Sequence, residues 1–514
     1  MSRQGLPTIP NIVVFMTDQQ RGATVLPGDP LKAITPHVDA LAADGVTFTR
    51  AHTVSPHCCP SRTSFLTGLP PSTHGVWNNV NVANALRRTP YADTRFWSQD
   101  LAEAGFRLGF AGKWHVSNTL NPRDVGWQEC LVTAPGAAGE ATEEQQRAAA
   151  TERDRELAAQ AAVDHDPGRQ RRPGEILRPG YTDYVHYRVN PDPYGDRAVV
   201  DSAIEFITSA AEGDQPWISY VGTLGPHDPY QPPQEFLDLY DLDAIELPET
   251  FDDPMHDKPA LYRRIRDRFD QLTEQEHREA LRHYLAFCSY EDHLFGRVRD
   301  AVAASGQLED TIFVYLSDHG DYAGDHGLWC KGLPAFTSAY HVPLVIGGAP
   351  LGEDVRGTTV TDLVSMIDLG PTLMELCGRE PTAPMPGHSL VPALRGEPLD
   401  GPGEVHFASN GNETLGNQRV VMTDRWMLVV NFFDADELYD LVNDPGQRHN
   451  LLHRDRPARR TGITEGSTVP SELREVVDEL YARMWRFGLA HGDDLTCNYI
   501  LTALGHRGPG IVLG

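Results

Sequence analysis

Cysteine is scarce, with seven in 514 residues, at positions 58, 59, 130, 288, 330, 377 and 497. An odd, scattered set of this kind makes no disulfide framework and suits a reducing compartment. Long apolar runs are missing too. Residues 12–16 near the N-terminus are too few for a secretory apolar region, and no run approaches bilayer length. A cytoplasmic protein with no membrane partner is therefore expected. Positive charge is in deficit: 44 Lys and Arg against 72 Asp and Glu leave a net charge of −28, which argues against a phosphate-tracking nucleic-acid surface. The deficit does not exclude an anionic small substrate, because a pocket can be locally positive. With 40% hydrophobic and 23% charged residues, a chain this long can bury one large core and a smaller one.

Four stretches repeat one scheme. "NIVVFMTDQQRG" reads as a buried strand with a polar end, and "TPHVDALAADGVTFTRAH" as a helix that opens at Thr35-Pro36 and stops at Gly45. "DTRFWSQDLAEAGFRLGFAGKWH" gives a helix closed by Gly105 and a strand running into Lys113. "DRAVVDSAIEFITSAAEGDQPWISYVGTLGPHDPY" and "EDHLFGRVRDAVAASGQLEDTIFVYLSDHGD" add two more helix–turn–strand units. Such repetition predicts an α/β fold: a mostly parallel central sheet flanked by helices, with functional groups at the C-terminal ends of its strands. Those ends carry Asp18, Lys113, His227 and Asp318. Residues 136–176, rich in Ala, Glu, Gln and Arg, read as an exposed insertion, and 379–404, rich in Pro and Gly, as a linker. A catalytic domain over 8–390 and a C-terminal α+β subdomain over 400–514, with antiparallel strands in 418–452 and an amphipathic helix in 470–491, are expected.

The vicinal thiols of "SPHCCPSRTSFLTG" are open to several readings: a disulfide, a metal site, a nucleophile or a modification signal. The stretch resembles the sulfatase signature Cys-x-Pro-Ser-Arg. Counting back from Pro60 and Arg62, the signature cysteine is Cys58, and Cys59 fills the variable position. Further motifs follow in the order "TDQQ", "CCPSR", "GKWH", "GPHDPY" and "SDHGDYAGDHGLWCKG", and the resemblance covers nearly the whole chain. It implies the alkaline-phosphatase-like fold. It also implies that a maturation enzyme converts Cys58 to formylglycine, an aldehyde whose hydrate attacks sulfur and later expels sulfate by re-forming its carbonyl.

The same resemblance assigns the other residues. Asp18, Gln19, Asp318 and His319, with the side chain at position 58, would hold one divalent ion, calcium before magnesium or manganese. Gln19 stands where relatives commonly carry a second aspartate. Lys113 and Lys331 would clamp sulfate oxygens, Arg62 would face the diol, His115 would take the proton from the second hydroxyl, and His227 would protonate the leaving group. Lys113 and His115 alternate, so an extended segment would send both to one face. Asn78 or Asn79 in "THGVWNNVN" would bind substrate or shape a turn. His74, Asp325 and His326 read as structural, and Trp77, Trp114 and Trp329 as packing residues before stacking ones. The implied substrate is an aryl, alkyl or carbohydrate sulfate ester. A phosphonate monoester or phosphodiester hydrolase on the same fold is the alternative, favoured by Gln19 and opposed by Lys113-x-His115. A binding protein with an unmodified Cys58 is the non-enzymatic alternative, and the competent residue at every motif position argues against it.

Overall fold

Strand β1 (Asn11–Thr17), NIVVFMT, is buried at every position, as a strand covered on both faces must be. The computed structural model describes residues 9–82, 84–132, 151, 155, 170–177, 184–412, 414–452 and 470–496. With β2 (Gly45–Phe48), β4 (Arg107–Gly112), β5 (Glu129–Val132), β6 (Trp217–Gly222), β7 (Thr311–Ser317), β8 (Leu344–Gly347) and β9 (Thr358–Val360), β1 forms an eight-stranded sheet. The strand order is β5-β4-β6-β1-β7-β8-β2-β9. All neighbours pair in parallel except β8, which runs antiparallel to β7 and β2. A separate parallel pair joins β3 (Ala51–His52) to β10 (Val364–Ser365).

Alternation along the strands divides the core into two layers. Ile12, Val14 and Met16, with Leu108, Phe110, Ile218 and Val314, pack against Phe65, Trp97 and Leu373 on one face. Val13 and Phe15, with Val221, Phe313 and Tyr315, pack against Val200, Phe287 and Phe295 on the other. Helices Cys58–Thr67, Trp97–Glu103 and Leu369–Leu376 therefore cover the first face, and Asp196–Ala210 and Glu274–Ala304 the second. The last helix begins well before the expected "EDHLFG": Thr273 caps it, accepting from Glu276 N at 3.3 Å while Glu276 Oε2 accepts from Thr273 N at 2.8 Å.

β11 (Glu404–Gly411), β12 (Leu415–Thr423), β13 (Trp426–Asn431) and β14 (Glu437–Asp440) make an antiparallel meander. One face packs on helix Arg474–Ala490 through Leu428, Val430, Leu480 and Trp485. The other packs on Tyr262, Phe336 and Tyr340. β11 starts at the end of the stretch read as a linker. Of the expected insertion, 136–150, 152–154 and 156–169 lie outside the described residues. Its end departs from the exposed reading, since Glu175 and Ile176 are buried. Among the described residues, no helix is long and apolar enough to cross a membrane.

Arg419 on β12 pairs with Asp493 through Nε and, at 2.9 Å, through Nη2, with both side chains buried. It also lies over the Trp77 ring at 4.5 Å. Arg419→Ala would leave Asp493 as a buried charge without its partner. A loss of about 3–5 kcal/mol in unfolding free energy is expected by denaturant titration, and no loss would show that the pair contributes nothing.

Candidate active site

The spacing of "CCPSR" is that of one helical turn. Cys58 and Arg62 are the first and fifth residues of helix Cys58–Thr67, so their side chains leave the same face. Pro60 costs no hydrogen bond in a first turn, where amides have no intrahelical acceptor. All ten residues of the helix are buried. Ser61 Oγ donates to Asp318 O and accepts from Thr53 Oγ1 at 2.7 Å, which ties the helix to the end of β7.

β1 and β7 are adjacent and in register at Thr17 and Ser317, so Asp18 and Asp318 emerge side by side. Their oxygens divide the work. On the outer side, Arg62 Nε donates to Asp318 Oδ2 at 2.8 Å and Nη2 to Asp18 Oδ2 at 3.1 Å, and Lys113 Nζ also donates to Asp18 Oδ2. On the inner side, each Oδ1 lies 3.6 Å from His319 Nε2. Cys58 Sγ lies 3.2 Å from that nitrogen and 3.8 Å from Asp18 Oδ1. Four potential ligand atoms, from Asp18, Cys58, Asp318 and His319, thus lie within 4.8 Å of one another, all buried. His319 Nδ1 donates to Gly320 O at 2.9 Å, which leaves Nε2 with its lone pair toward the cluster. The donor set fits a divalent ion.

The electrostatics follow from these neighbours. Burial and Cys58 oppose ionisation of Asp18, but Lys113, His227 and Arg62 hold it well below the usual carboxylate range. Burial pushes the Cys58 thiol up, and the neighbouring Lys113, Lys331, His319 and His115 more than reverse it, so it lies well below the ordinary thiol range. Cys59 is the opposite case. Burial and Cys58 push its thiol up, it packs with Val76 and Val80, and its sulfur accepts from Val80 N at 3.3 Å. Cys58 and Cys59 are both free thiols, so the vicinal-disulfide reading falls.

Lys113 follows β4, where Gly112 has φ +102° and a Cβ would meet Gly222 O at 1.9 Å. His115 also reaches the site, but through a left-handed backbone (φ 47°) and not along an extended segment. Its Nε2 lies 3.0 Å from Asn81 Oδ1, while Nδ1 is buried without a hydrogen-bond partner among the described residues. His227 Nδ1 lies 2.6 Å from Asp228 O, and its Nε2 lies 2.8 Å from Lys331 Nζ. Burial and Lys331 work against its charged form, yet Asp228, Cys58 and Asp18 leave it above the ordinary histidine range.

The Arg62 guanidinium is engaged by both carboxylates, by Lys113 O at 3.2 Å and by Tyr220 Oη at 2.9 Å. Gln19 turns its amide oxygen to Lys331 Nζ at 2.8 Å, and its Nε2 donates to Asp321 at 2.6 Å and Asp228 at 3.3 Å. Its backbone has a positive φ of 68°, and its backbone N–H donates to Asp318 Oδ1 at 3.1 Å. Asn78 and Asn79 shape the loop: Asn78 Oδ1 accepts from Leu86 N and Asn79 Oδ1 from Cys59 N, each at 3.1 Å.

Asn81, Asp228 and Asp321 are site residues the sequence reading missed. Asn81 stood unread in the quoted "NNVN", and Asp228 and Asp321 sat inside the "PHDPY" and "SDHGD" motifs. Burial pushes Asp321 up to about 6 despite bonds from Tyr230, Ala323 N and Gln19. The remaining residues are structural as read. His74 joins Ser64 Oγ and Val76 N, Asp325 pairs with Arg21 at 2.8 Å, and His326 bonds Asp253 at 2.7 Å. Trp114 and Trp329 are buried with their indole N–H groups bonded to Leu120 O and His277 Nδ1.

Residues 10–379 match the family model described as Sulfatase, and residues 324–462 match N-sulphoglucosamine sulphohydrolase, C-terminal. The chain is 29% identical over 464 residues to the uncharacterized sulfatase YidJ of Escherichia coli (strain K12), covering 86% of this chain and 83% of that protein. It is 28% identical over 470 residues to the choline-sulfatase of Rhizobium meliloti (strain 1021), covering 87% and 83%. The solved phosphonate monoester hydrolase of Agrobacterium radiobacter superposes with a TM-score of 0.70 at 21% identity, over 94% of this chain and 96% of that one, a likeness of fold. With the Sulfatase model spanning well over half its length, the chain belongs to the sulfatase family, on the alkaline-phosphatase-like fold, and is an enzyme that hydrolyses sulfate esters.

Proposed function

We propose that a maturation enzyme converts Cys58 to formylglycine and that the substrate is an aryl, alkyl or carbohydrate sulfate ester. The observation that carries this reading is the choice between the two thiols: the sulfur of Cys58, and not that of Cys59, meets both aspartates and His319. The aldehyde hydrate supplies an oxygen nucleophile that attacks sulfur, and its carbonyl re-forms to release sulfate. Asp18, Asp318, His319 and the residue-58 side chain would hold one divalent ion (calcium, magnesium or manganese), which offsets the negative charge of the sulfate. Gln19 is assigned to holding Lys331 beside it.

The chain's own groups do the rest. Lys113 and Lys331 bring two ammonium charges to the residue-58 side chain and bind sulfate oxygens. Arg62 bridges the two carboxylates. His115 Nδ1 takes a proton from the residue-58 side chain. His227, placed against Lys331, gives a proton to the departing alkoxide. A cytoplasmic location is supported by free thiols at the six described cysteines.

Mass spectrometry of the Cys58 peptide, on protein from its native host, is expected to show the aldehyde. An unmodified thiol would remove the nucleophile. Cys58→Ala should lower kcat about 10⁴-fold or more, and Cys59→Ala should leave it within about threefold. Equal losses would show that the two thiols share the role.

His227→Ala should slow an alkyl sulfate about 10²–10⁴-fold and an activated aryl sulfate much less, since only the poor leaving group needs the proton. Equal effects on both would argue that His227 binds rather than protonates. Finally, kcat/KM should be higher for an aryl sulfate than for an aryl phosphonate monoester or phosphodiester with the same leaving group. The reverse order would make the phosphorus ester the main substrate, as Gln19 alone would suggest.

A further inference from the structure

Asn81 lies in a segment whose backbone is pinned on both sides of it. The Arg88 guanidinium, 1% exposed, donates Nη1 to Val80 O at 2.7 Å and Nη2 to Val82 O at 2.9 Å. Asn118 Nδ2 also donates to Val80 O, at 2.9 Å. From the C-terminal meander, Asn412 accepts from Asn79 N at 3.1 Å through Oδ1 and from Asn84 Nδ2 at 2.8 Å through its carbonyl. From this fixed frame Asn81 Oδ1 reaches His115 Nε2 at 3.0 Å. An amide oxygen only accepts, so the shared proton belongs to Nε2 and the Nδ1 lone pair is left open. Nδ1 is buried and finds no hydrogen-bond partner among the described residues.

We propose that Asn81 is a positioning residue of the hydrolysis. It fixes the neutral His115 ring in the tautomer whose Nδ1 accepts a proton from the residue-58 side chain, and it holds Nε2–H while the ring is charged. One proton moves from a residue-58 hydroxyl oxygen to Nδ1, and the imidazolium returns it to solvent before the next turnover. The inference rests on the reading of His115 as the base.

Steady-state kinetics on p-nitrophenyl sulfate test it, with mature wild type, Asn81→Ala, Asn81→Leu, Asn81→Asp, His115→Ala and the Asn81→Ala/His115→Ala double variant. Asn81→Ala and Asn81→Leu should each lower kcat about 10–100-fold with KM within about twofold. Asn81→Asp, whose carboxylate also accepts from Nε2, should recover most of the loss. The double variant should be no slower than His115→Ala, because the two residues act as one unit. Leucine keeps the volume of the side chain and aspartate keeps its acceptor, so a poorly folded alanine variant does not end the test. Wild-type kcat in Asn81→Leu, a loss confined to KM, no rescue by aspartate, or losses that multiply in the double variant would each overturn the proposal. Wild-type kcat in His115→Ala would sink the base reading and this inference with it. A slow His115→Ala beside a fast Asn81→Leu would sink this inference alone.

Discussion

Asp18 and Asp318 sit wholly inside the protein at the ends of adjacent strands, and the Arg62 guanidinium bridges them. Two carboxylates so close and so dry need a cation as partner. Arg62 takes their outer oxygens, and their inner oxygens are left to face His319 and residue 58. The guanidinium arrives on the same helix as Cys58, one turn further along. Cys58 and the cation beside the carboxylates are therefore delivered by a single rigid element. The rest of the site is arranged around that bridge.

Around it, three kinds of support meet. The parallel sheet sets where β1, β4, β6 and β7 end, so Asp18, Lys113, the 223–230 segment and Asp318 converge without help from loops. Asp196 holds the start of the His227 segment, accepting from Leu224 N and Gly225 N at 2.9 Å, and Tyr194 Oη closes it by donating to His227 O at 3.0 Å. The C-terminal meander reaches in with Asn412 and Ser409, the latter 3.5 Å from His57 Nε2. The antiparallel sheet is thus one wall of the catalytic frame as well as a covering lobe.

The strand ends and the Cys58 register were legible in the sequence. Both follow from local patterns: apolar runs that stop at a polar residue, and a one-turn spacing on a helix. The partners of Arg62 and Gln19 were not legible because they are distant. Arg62 bonds Asp318 across 256 positions, and Gln19 bonds Lys331 across 312. Nothing near either residue announces which way its side chain will turn. His115 was expected at the site for the wrong reason, since alternation assumes an extended chain and its backbone is left-handed. Asn81 was missed beside Asn78 and Asn79, three like residues in a short loop that differ only in what lies across from them. The start of β11 fell at the edge of a Pro/Gly-rich stretch, where turn residues mask a strand beginning at Glu404.

The burial of the helix from Cys58 to Thr67 along its whole length has a temporal consequence. Cys58 is 1% exposed, under a helix cap and against two strand ends. A macromolecular catalyst must wrap several residues of backbone around a side chain to act on it, and the finished protein offers no such access. Any enzyme that alters Cys58 must meet it on the nascent or unfolded chain. On the proposed modification of Cys58, the order of manufacture is chemistry first and folding second.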